Sequence, residues 1–403
     1  MIAVGLMEGR SAVDVELAGV FRDASGMAYK PARYRFTSEV TLTPSDLASC
    51  SFALEDVTIG IGFHWERKER QVFRGALRII KRDAGLTVVN DVPLEEYVTS
   101  VISSEMSASC PIELLKAHAV ISRSWLLFPK AGRTPNSGVR PEIHNEILHW
   151  YGREAHPDFD VCADDHCQRY QGITKAFSPE AANAVAATTG EFLRYNGTIC
   201  DARFSKCCGG ITERYSTAWE DQEIRYLESV YDGPEQTRAH IPETWIRSDP
   251  PAYCNTRDSE LLSRILPGFD RETRDFYRWR VEYTPDELAD LVKSRIGVDL
   301  GPIRDIEAVA RGPSGRIYRL KLSGERDYLF IGKELEIRRA LSRTHLYSSA
   351  FVVDKESGHL VLRGAGWGHG VGLCQIGAAV MANEGRTYKE ILQHYYRGTT
   401  VSA

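Results

Sequence analysis

Alternation of apolar and polar positions dominates the first ninety residues. DVELAGVF (14–21), ARYRFTSEVTL (32–42), DVTIGIGFHW (56–65) and GALRIIKR (75–82) are alternating or β-branched runs broken by Gly and Asp, which predicts short strands and turns. The period changes at Glu113, where Leu114, Ala117, Ile121 and Trp125 recur at helical spacing behind Pro111, a residue suited to a first helical turn. Residues Arg133 to Tyr170 are polar and rich in Pro and His, and read as a long loop that something must pin down. A short Ala-rich helix is expected near Ser178 to Thr189, then strand-like residues Glu191 to Tyr195 and the turn Asn196-Gly197. Two or three helical patterns lie between Thr244 and Ile296, and Ile303 to Ile331 alternates like strands around Pro313-Ser314-Gly315. A last helix is expected from Tyr388 to Tyr396, stopping before Gly398. No internal repeat is visible. This order predicts an α+β fold: a β-rich N-terminal region (1–85), a mixed core in two parts (86–240 and 346–403), and an accessory or inserted subdomain (241–345).

Composition narrows the class. With 403 residues the chain exceeds one domain at about 150 residues each, so it can bury a sizeable core. A net charge of -5 with no basic block argues against nucleic acid or an anionic membrane surface as partner. No apolar run approaches the ~20 residues of a membrane-spanning helix, and MIAVGLMEGR lacks the apolar centre of a signal peptide. Nine cysteines, clustered at Cys162 with Cys167 and at Cys200, Cys207 and Cys208, do not form an evenly spaced disulfide framework.

Three constellations carry chemistry. Glu105 is a lone carboxylate between a strand-like stretch, Val92 to Tyr97, and the helix that carries Lys116, His118 and Arg123. A carboxyl group held partly out of water can deliver a proton at working pH, whereas by position alone a solvated or capping carboxylate is the ordinary reading. Glu96 and Glu113 are available to pair with Lys116, His118 and Arg123 as ordinary charges. Second, GAGWGHGVGLCQIGA (364–378) brackets Trp367, His369 and Gln375 with six glycines, a density that allows positive φ and close approach of backbone to a ligand, or a tight structural turn. FSKCCGGITE (204–213) adds Cys208 and Gly209 in a second glycine turn. Third, His156, Cys162, His166 and Cys167 bring two imidazoles and two thiols within twelve residues, a mixture that tetrahedral zinc accepts. His144 and His149 are competing ligands, and a Cys162 to Cys167 disulfide is the alternative.

The run VPLEEYVTSVISSEMSASCPIELLKAHAVISRSW and the run GAGWGHGVGLCQIGA together resemble the sporulation stage II protein D family. FSKCCGGITE, EIRRALSRTHLYSSAF and YKEILQHYYRGTTV also look like family segments, so the resemblance covers nearly the whole chain. It implies a peptidoglycan lytic transglycosylase that cleaves between N-acetylmuramic acid and N-acetylglucosamine without water, with Glu105 as the acid/base. Such an enzyme needs one carboxylate, because the muramic acid's own C6 hydroxyl attacks the anomeric carbon. It further implies a glycan groove built from the Glu105 loop, the Gly209 turn and the Gly366 to Gly372 loop, with Lys116, His118, Arg123, Cys208, Gly209, Trp367, His369 and Gln375 facing the substrate. Ser107 stands where the family has Pro, which suggests a less rigid loop. His118 stands where it has Gln, and Cys374 where it has Ser. Some members bind structural zinc with a His, Cys, His, Cys set offset by about one residue from His156, Cys162, His166 and Cys167. No organic cofactor is implied. The expected substrate is a strand stripped of stem peptides, the expected partner an N-acetylmuramoyl-L-alanine amidase, and the expected location the cell envelope or periplasm, with Met1 standing in place of an export signal. A non-catalytic wall-binding protein or amidase activator, and a zinc hydrolase of peptide bonds, are the competing readings.

Overall fold

The computed structural model of the protein describes residues 1–62, 66–128, 138–139, 145–152, 156–234, 241–268, 270–272 and 275–403. His144 lies outside them, as does part of the stretch read as a long loop. Helices and strands are mixed throughout, as an α+β fold requires. The chain divides into two compact units, Met1–Arg123 with Ala155–Gly190 and Arg264–Phe269, and Ser124–Glu154 with Glu191–Ser263 and Asp270–Ala403.

The first unit rests on two sheets. In the seven-stranded sheet, Gly85–Val92 is central and almost wholly buried, and pairs antiparallel with Ile2–Arg10 on one side and Ala76–Arg82 on the other. Beyond Ile2–Arg10, the two-residue strand Val161–Cys162 adds in parallel, with Gly5 opposite Cys162. A Cβ at Gly5 would run into the Phe159 ring, so only glycine admits this approach. The four-stranded sheet holds the alternating runs Val13–Ala18 and Ser51–Ile59 between Ala32–Phe36 and Arg67–Phe73.

Helix α1 spans Leu94–Glu105 and corrects the expectation of a strand-like approach to a Glu105 loop. Pro93 sets the start, Glu95 and Glu96 occupy the first turn where the helix dipole favours negative charge, and Tyr97, Val98, Val101 and Ile102 are buried. The helix also absorbs its hydroxyl residues: the Thr99, Ser103 and Ser104 hydroxyls each donate to the carbonyl four residues back. Helix α2 spans Ile112–Leu127, as its periodicity predicts. Helix α3, Pro179–Ala187, is capped by Ser178 and packs on α1.

In the second unit, part of the supposed loop proves to be sheet. Glu146–Trp150 pairs in parallel with Tyr328–Gly332, because Leu148 finds a buried place beside that strand. Tyr328–Gly332, Ile317–Gly324 and Ile303–Arg311 form the antiparallel ladder expected from their alternation. Their inner residues Ile303, Leu320, Leu322 and Ile331 pack with Leu288 and Val292 of the helix Pro285–Ile296, which carries a Thr284/Glu287 capping box and ends at Gly297 with φ +82°. Trp279, Phe351 and Leu362, from the sheet of Arg278–Tyr283, His359–Ala365 and Phe351–Glu356, complete the same core. The turn Asn196-Gly197 joins Phe192–Tyr195 to Thr198–Ile199 with φ of 49° and 78°, as a two-residue hairpin demands.

Leu320 has no exposed surface. Leu320→Ala should therefore lower stability by about 2–5 kcal/mol through lost burial and the cavity left behind, measured by urea denaturation.

Candidate functional site

In the first unit Glu105 is the last residue of α1 and only 8% exposed. Its position at the helix C-terminus is the one the helix dipole least favours for negative charge. Its Oε1 accepts the backbone N–H of Arg169 at 3.0 Å. Neighbouring bonds lie along the same segment: the Tyr97 hydroxyl donates to Gln168 Oε1 at 3.0 Å, and the Gln171 N–H donates to Ser100 Oγ at 3.2 Å. Tyr170 stacks on Tyr97 with ring centroids 5.4 Å apart. The chain after Glu105 is also tied. The Ser107 N–H donates to the Ile265 carbonyl at 3.0 Å, a bond that proline could not make, so this substitution adds an anchor where a looser loop was expected.

Arg169 follows Cys167 by two residues, so this segment continues directly from the His/Cys cluster. Among the described residues His156, Cys162, His166 and Cys167 bring their donor atoms within 4.8 Å of one another. His156 Nε2 and His166 Nδ1 stand 3.4 and 3.5 Å from Cys167 Sγ, and Cys162 Sγ stands 3.9 Å from His166 Nδ1. Bonds of about 2.3 Å to sulfur and about 2.0–2.1 Å to nitrogen around a tetrahedral zinc place such atoms roughly 3.6 Å apart. The four side chains therefore fit a metal ion, and no disulfide joins Cys162 to Cys167. The hydrogen bond from Cys167, reinforced by His156 and His166, outweighs burial and brings the Cys162 thiol down to about 2, a ligand-ready thiolate. Phe159 stacks on His156, and Asp164 accepts the amides of Gly60 and Ile61, holding the loop to its unit. His149 instead belongs to a strand of the second unit, with its ring against Tyr151.

Three residues of α2 expected at the substrate make internal contacts. Lys116 pairs with Glu113 at 2.7 Å, and His118, 1% exposed, meets Ser122 Oγ at 3.1 Å. Arg123 has no exposed side-chain surface and meets Glu95 Oε2 at 2.8 and 3.2 Å through two guanidinium nitrogens, joining α2 to the first turn of α1.

In the second unit the two glycine turns lie side by side. Cys207 and Trp367 exchange backbone hydrogen bonds of 3.1 and 2.8 Å, and a Cβ on Gly209 would stand 3.0 Å from the Gly366 nitrogen. Trp367 is largely buried, its ring edge-on to Tyr347. Gln375 is buried at the start of the helix Gln375–Asn383. At the centre is Arg316, which no sequence signal marked. Its fully buried guanidinium donates to the carbonyls of Cys208 and Gly368 at 3.0 Å each and to Ser314 Oγ at 2.9 Å. A Cβ at Gly370 would strike that guanidinium, so the loop's glycines serve close packing around an arginine.

His369 Nδ1 accepts the Val371 N–H at 3.0 Å, and its ring meets Trp219 edge-on at 4.9 Å. Burial, then the charges of Arg203, Arg316 and Arg338, hold this imidazole well below the ordinary 6.5, so it is neutral.

A buried acid on a helix end beside a metal-ready knot, and a glycine-rich loop built around arginine, define a class that comparison with known proteins makes specific. Residues 82–195 match the Stage II sporulation protein family and residues 213–372 a domain of unknown function (DUF8618). The chain thus carries a domain of the stage II sporulation protein family and is similar along most of its length to stage II sporulation protein D. It is 26% identical to the Stage II sporulation protein D of Bacillus amyloliquefaciens over 78% of this chain and 75% of that one. It is also 26% identical to an uncharacterized protein of Brachyspira hyodysenteriae over 82% and 72%. An amidase enhancer of Bacillus subtilis is 25% identical over 75% of this chain and 40% of its own length.

The depressed His369 value sets a sign. Above pH 6.5 the ring is neutral folded and unfolded alike; below it the unfolded chain takes a proton that the fold resists, so stability falls as pH falls. The stability lost on acidification should be smaller in His369→Gln by up to about 1.4 kcal/mol per pH unit below 6.5, read from urea midpoints at several pH values.

Proposed function

We propose that this protein is a peptidoglycan lytic transglycosylase of the cell envelope with Glu105 as its general acid and base. The observation that carries the reading is the placement of Glu105: a nearly buried carboxyl group at the end of α1, oriented by the Arg169 amide, inside the segment that matches the family. The reaction starts from the acidic proton of Glu105, whose Oε1 accepts the Arg169 N–H. That proton passes to the glycosidic oxygen as the bond to the anomeric carbon of N-acetylmuramic acid breaks. The C6 hydroxyl of the same sugar attacks that carbon, and Glu105 takes back the hydroxyl proton, closing a 1,6-anhydro ring. No water is consumed and the acid ends as it began.

A zinc ion at His156, Cys162, His166 and Cys167 would act on this chemistry only through structure. Two thiolates and two imidazoles fill a tetrahedral ion, leaving no position for a catalytic water. The knot fixes Cys167, and Cys167 fixes Gln168 and Arg169 against α1. Trp367, His369, Gln375 and Gly209 remain the proposed sugar-binding set, and Arg123 braces the acid's helix through Glu95. A strand freed of stem peptides is the proposed substrate and an N-acetylmuramoyl-L-alanine amidase the proposed partner. The likeness to an amidase enhancer supports the second reading, a glycan-binding activator without turnover.

Mass spectrometry of glycan products from intact and amidase-treated peptidoglycan tests the reading. Wild type should release anhydromuramic ends, Glu105→Gln should lose roughly 10²–10⁴-fold in rate, and pull-down of glycan by the variant should be unchanged. Reducing ends would mean a hydrolase, and glycan binding with no products from wild type would leave the activator reading.

Removal of zinc from the knot should slow turnover and increase amide exchange across residues 162–171 without altering the product. Unchanged exchange after chelation, read by hydrogen-exchange mass spectrometry, would detach the knot from Glu105.

A further inference from the structure

A second cluster of metal-ligating side chains lies in the second unit, apart from the residues given roles above except Cys208. Cys208, Asp232, Cys254 and Cys374 bring one donor atom each within 4.8 Å of one another. They come from four separate stretches of chain, and none is more than 2% exposed. Cys208 Sγ and Cys254 Sγ are 3.7 Å apart, too far for a disulfide but close to the ~3.8 Å edge of a tetrahedron with zinc–sulfur bonds of about 2.3 Å.

The surroundings are arranged as they are around metal ligands. The Cys208 N–H donates to Cys374 Sγ at 3.3 Å, which orients that sulfur as an acceptor. Asp232 Oδ1 accepts the Tyr395 hydroxyl at 2.6 Å and Oδ2 accepts the Cys254 N–H at 2.9 Å, fixing the carboxylate while each oxygen keeps a lone pair. Gly377 makes room for it, since a Cβ there would collide with Oδ1. The groups around Asp232, among the described residues, are thiols, a tyrosine and amides, so a buried carboxylate here has no cationic partner of its own. An ionised carboxylate without a cation is expensive to bury, and so are thiolates; a divalent ion at the centre would compensate both.

We propose that Cys208, Cys254, Cys374 and Asp232 bind a second, structural zinc ion. Soft thiolates in a compact four-donor set select zinc among divalent ions, and a filled tetrahedron marks the ion as a clamp. Cys208 opens the Gly209-Gly210 turn and Cys374 closes the glycine-rich loop, so the ion would tie the two turns together from beneath.

The test is the metal content of the purified full-length chain, without dependence on glycan cleavage. Wild type should hold two zinc equivalents, and Cys162→Ser/Cys167→Ser should keep one. Cys254→Ser should also keep one, and its amides from 366 to 374 should exchange faster than in wild type. Wild type with one equivalent and the Cys162→Ser/Cys167→Ser variant with none would overturn the proposal, as would a Cys208–Cys254 disulfide in a non-reducing peptide map. The Cys207 thiol also faces Cys254 and Cys374. Retention of both equivalents in Cys207→Ser with loss of one in Asp232→Asn supports the donor set, and the reverse pattern overturns it. Because the Cys162→Ser/Cys167→Ser variant leaves the second cluster intact, the outcome stands even where Cys254→Ser does not fold.

Discussion

The first unit turns on one hydrogen bond, from the Arg169 amide to the Glu105 carboxyl group. A bond from an amide to a buried carboxylate contributes about 1.5–3 kcal/mol, and here it offsets a helix end whose dipole opposes negative charge. What keeps Arg169 in place is therefore as important as Glu105 itself. Cys162 sits in a strand added in parallel to Ile2–Arg10, Tyr97 holds Gln168, and Tyr170 stacks on Tyr97. The His/Cys knot closes this circuit over a stretch of chain that is otherwise polar and poor in core residues.

The second unit solves a similar problem differently. A loop of alternating glycines has little intrinsic order, since glycine loses the most backbone freedom on folding. Here the order comes from Arg316, whose guanidinium bonds carbonyls of both glycine turns and occupies the volume where side chains would stand. The neutral His369 adds a bond across its own turn and an edge contact to Trp219. The same glycines that permit close approach to a ligand are thus required by the protein's own packing.

How much of this was legible depended on the range of the interaction. The α2 periodicity, the Asn196-Gly197 hairpin, the ladder around Pro313-Ser314-Gly315 and the spacing of His156, Cys162, His166 and Cys167 are local patterns, and each appears in the structure where its residues announced it. The strand-like reading of Val92 to Tyr97 holds only at Val92, the end of Gly85–Val92; from Leu94 the chain is helical, because burial of Tyr97, Val98, Val101 and Ile102 on one face decides for helix. Leu148 and Val161 lay in a polar stretch whose strand partners, Tyr328–Gly332 and Ile2–Arg10, are more than 150 positions away. Arg316 and Asp232 are single polar letters in runs with no motif; only their burial beside glycines and thiols gives them meaning.

One carboxylate suffices for the proposed reaction because the substrate carries its own nucleophile. A hydrolase would need a second acid or base to activate water. Asp164 and Asp165 of the first unit have structural partners: Asp164 accepts two amides, and Asp165 pairs with Arg169. Glu213 in the second unit accepts bonds from Arg214, Thr217 and Ser314, and burial raises its carboxyl group above the ordinary range. These carboxylates hold chain segments together. In the proposed reaction the intramolecular C6 hydroxyl removes the need to recruit one of them.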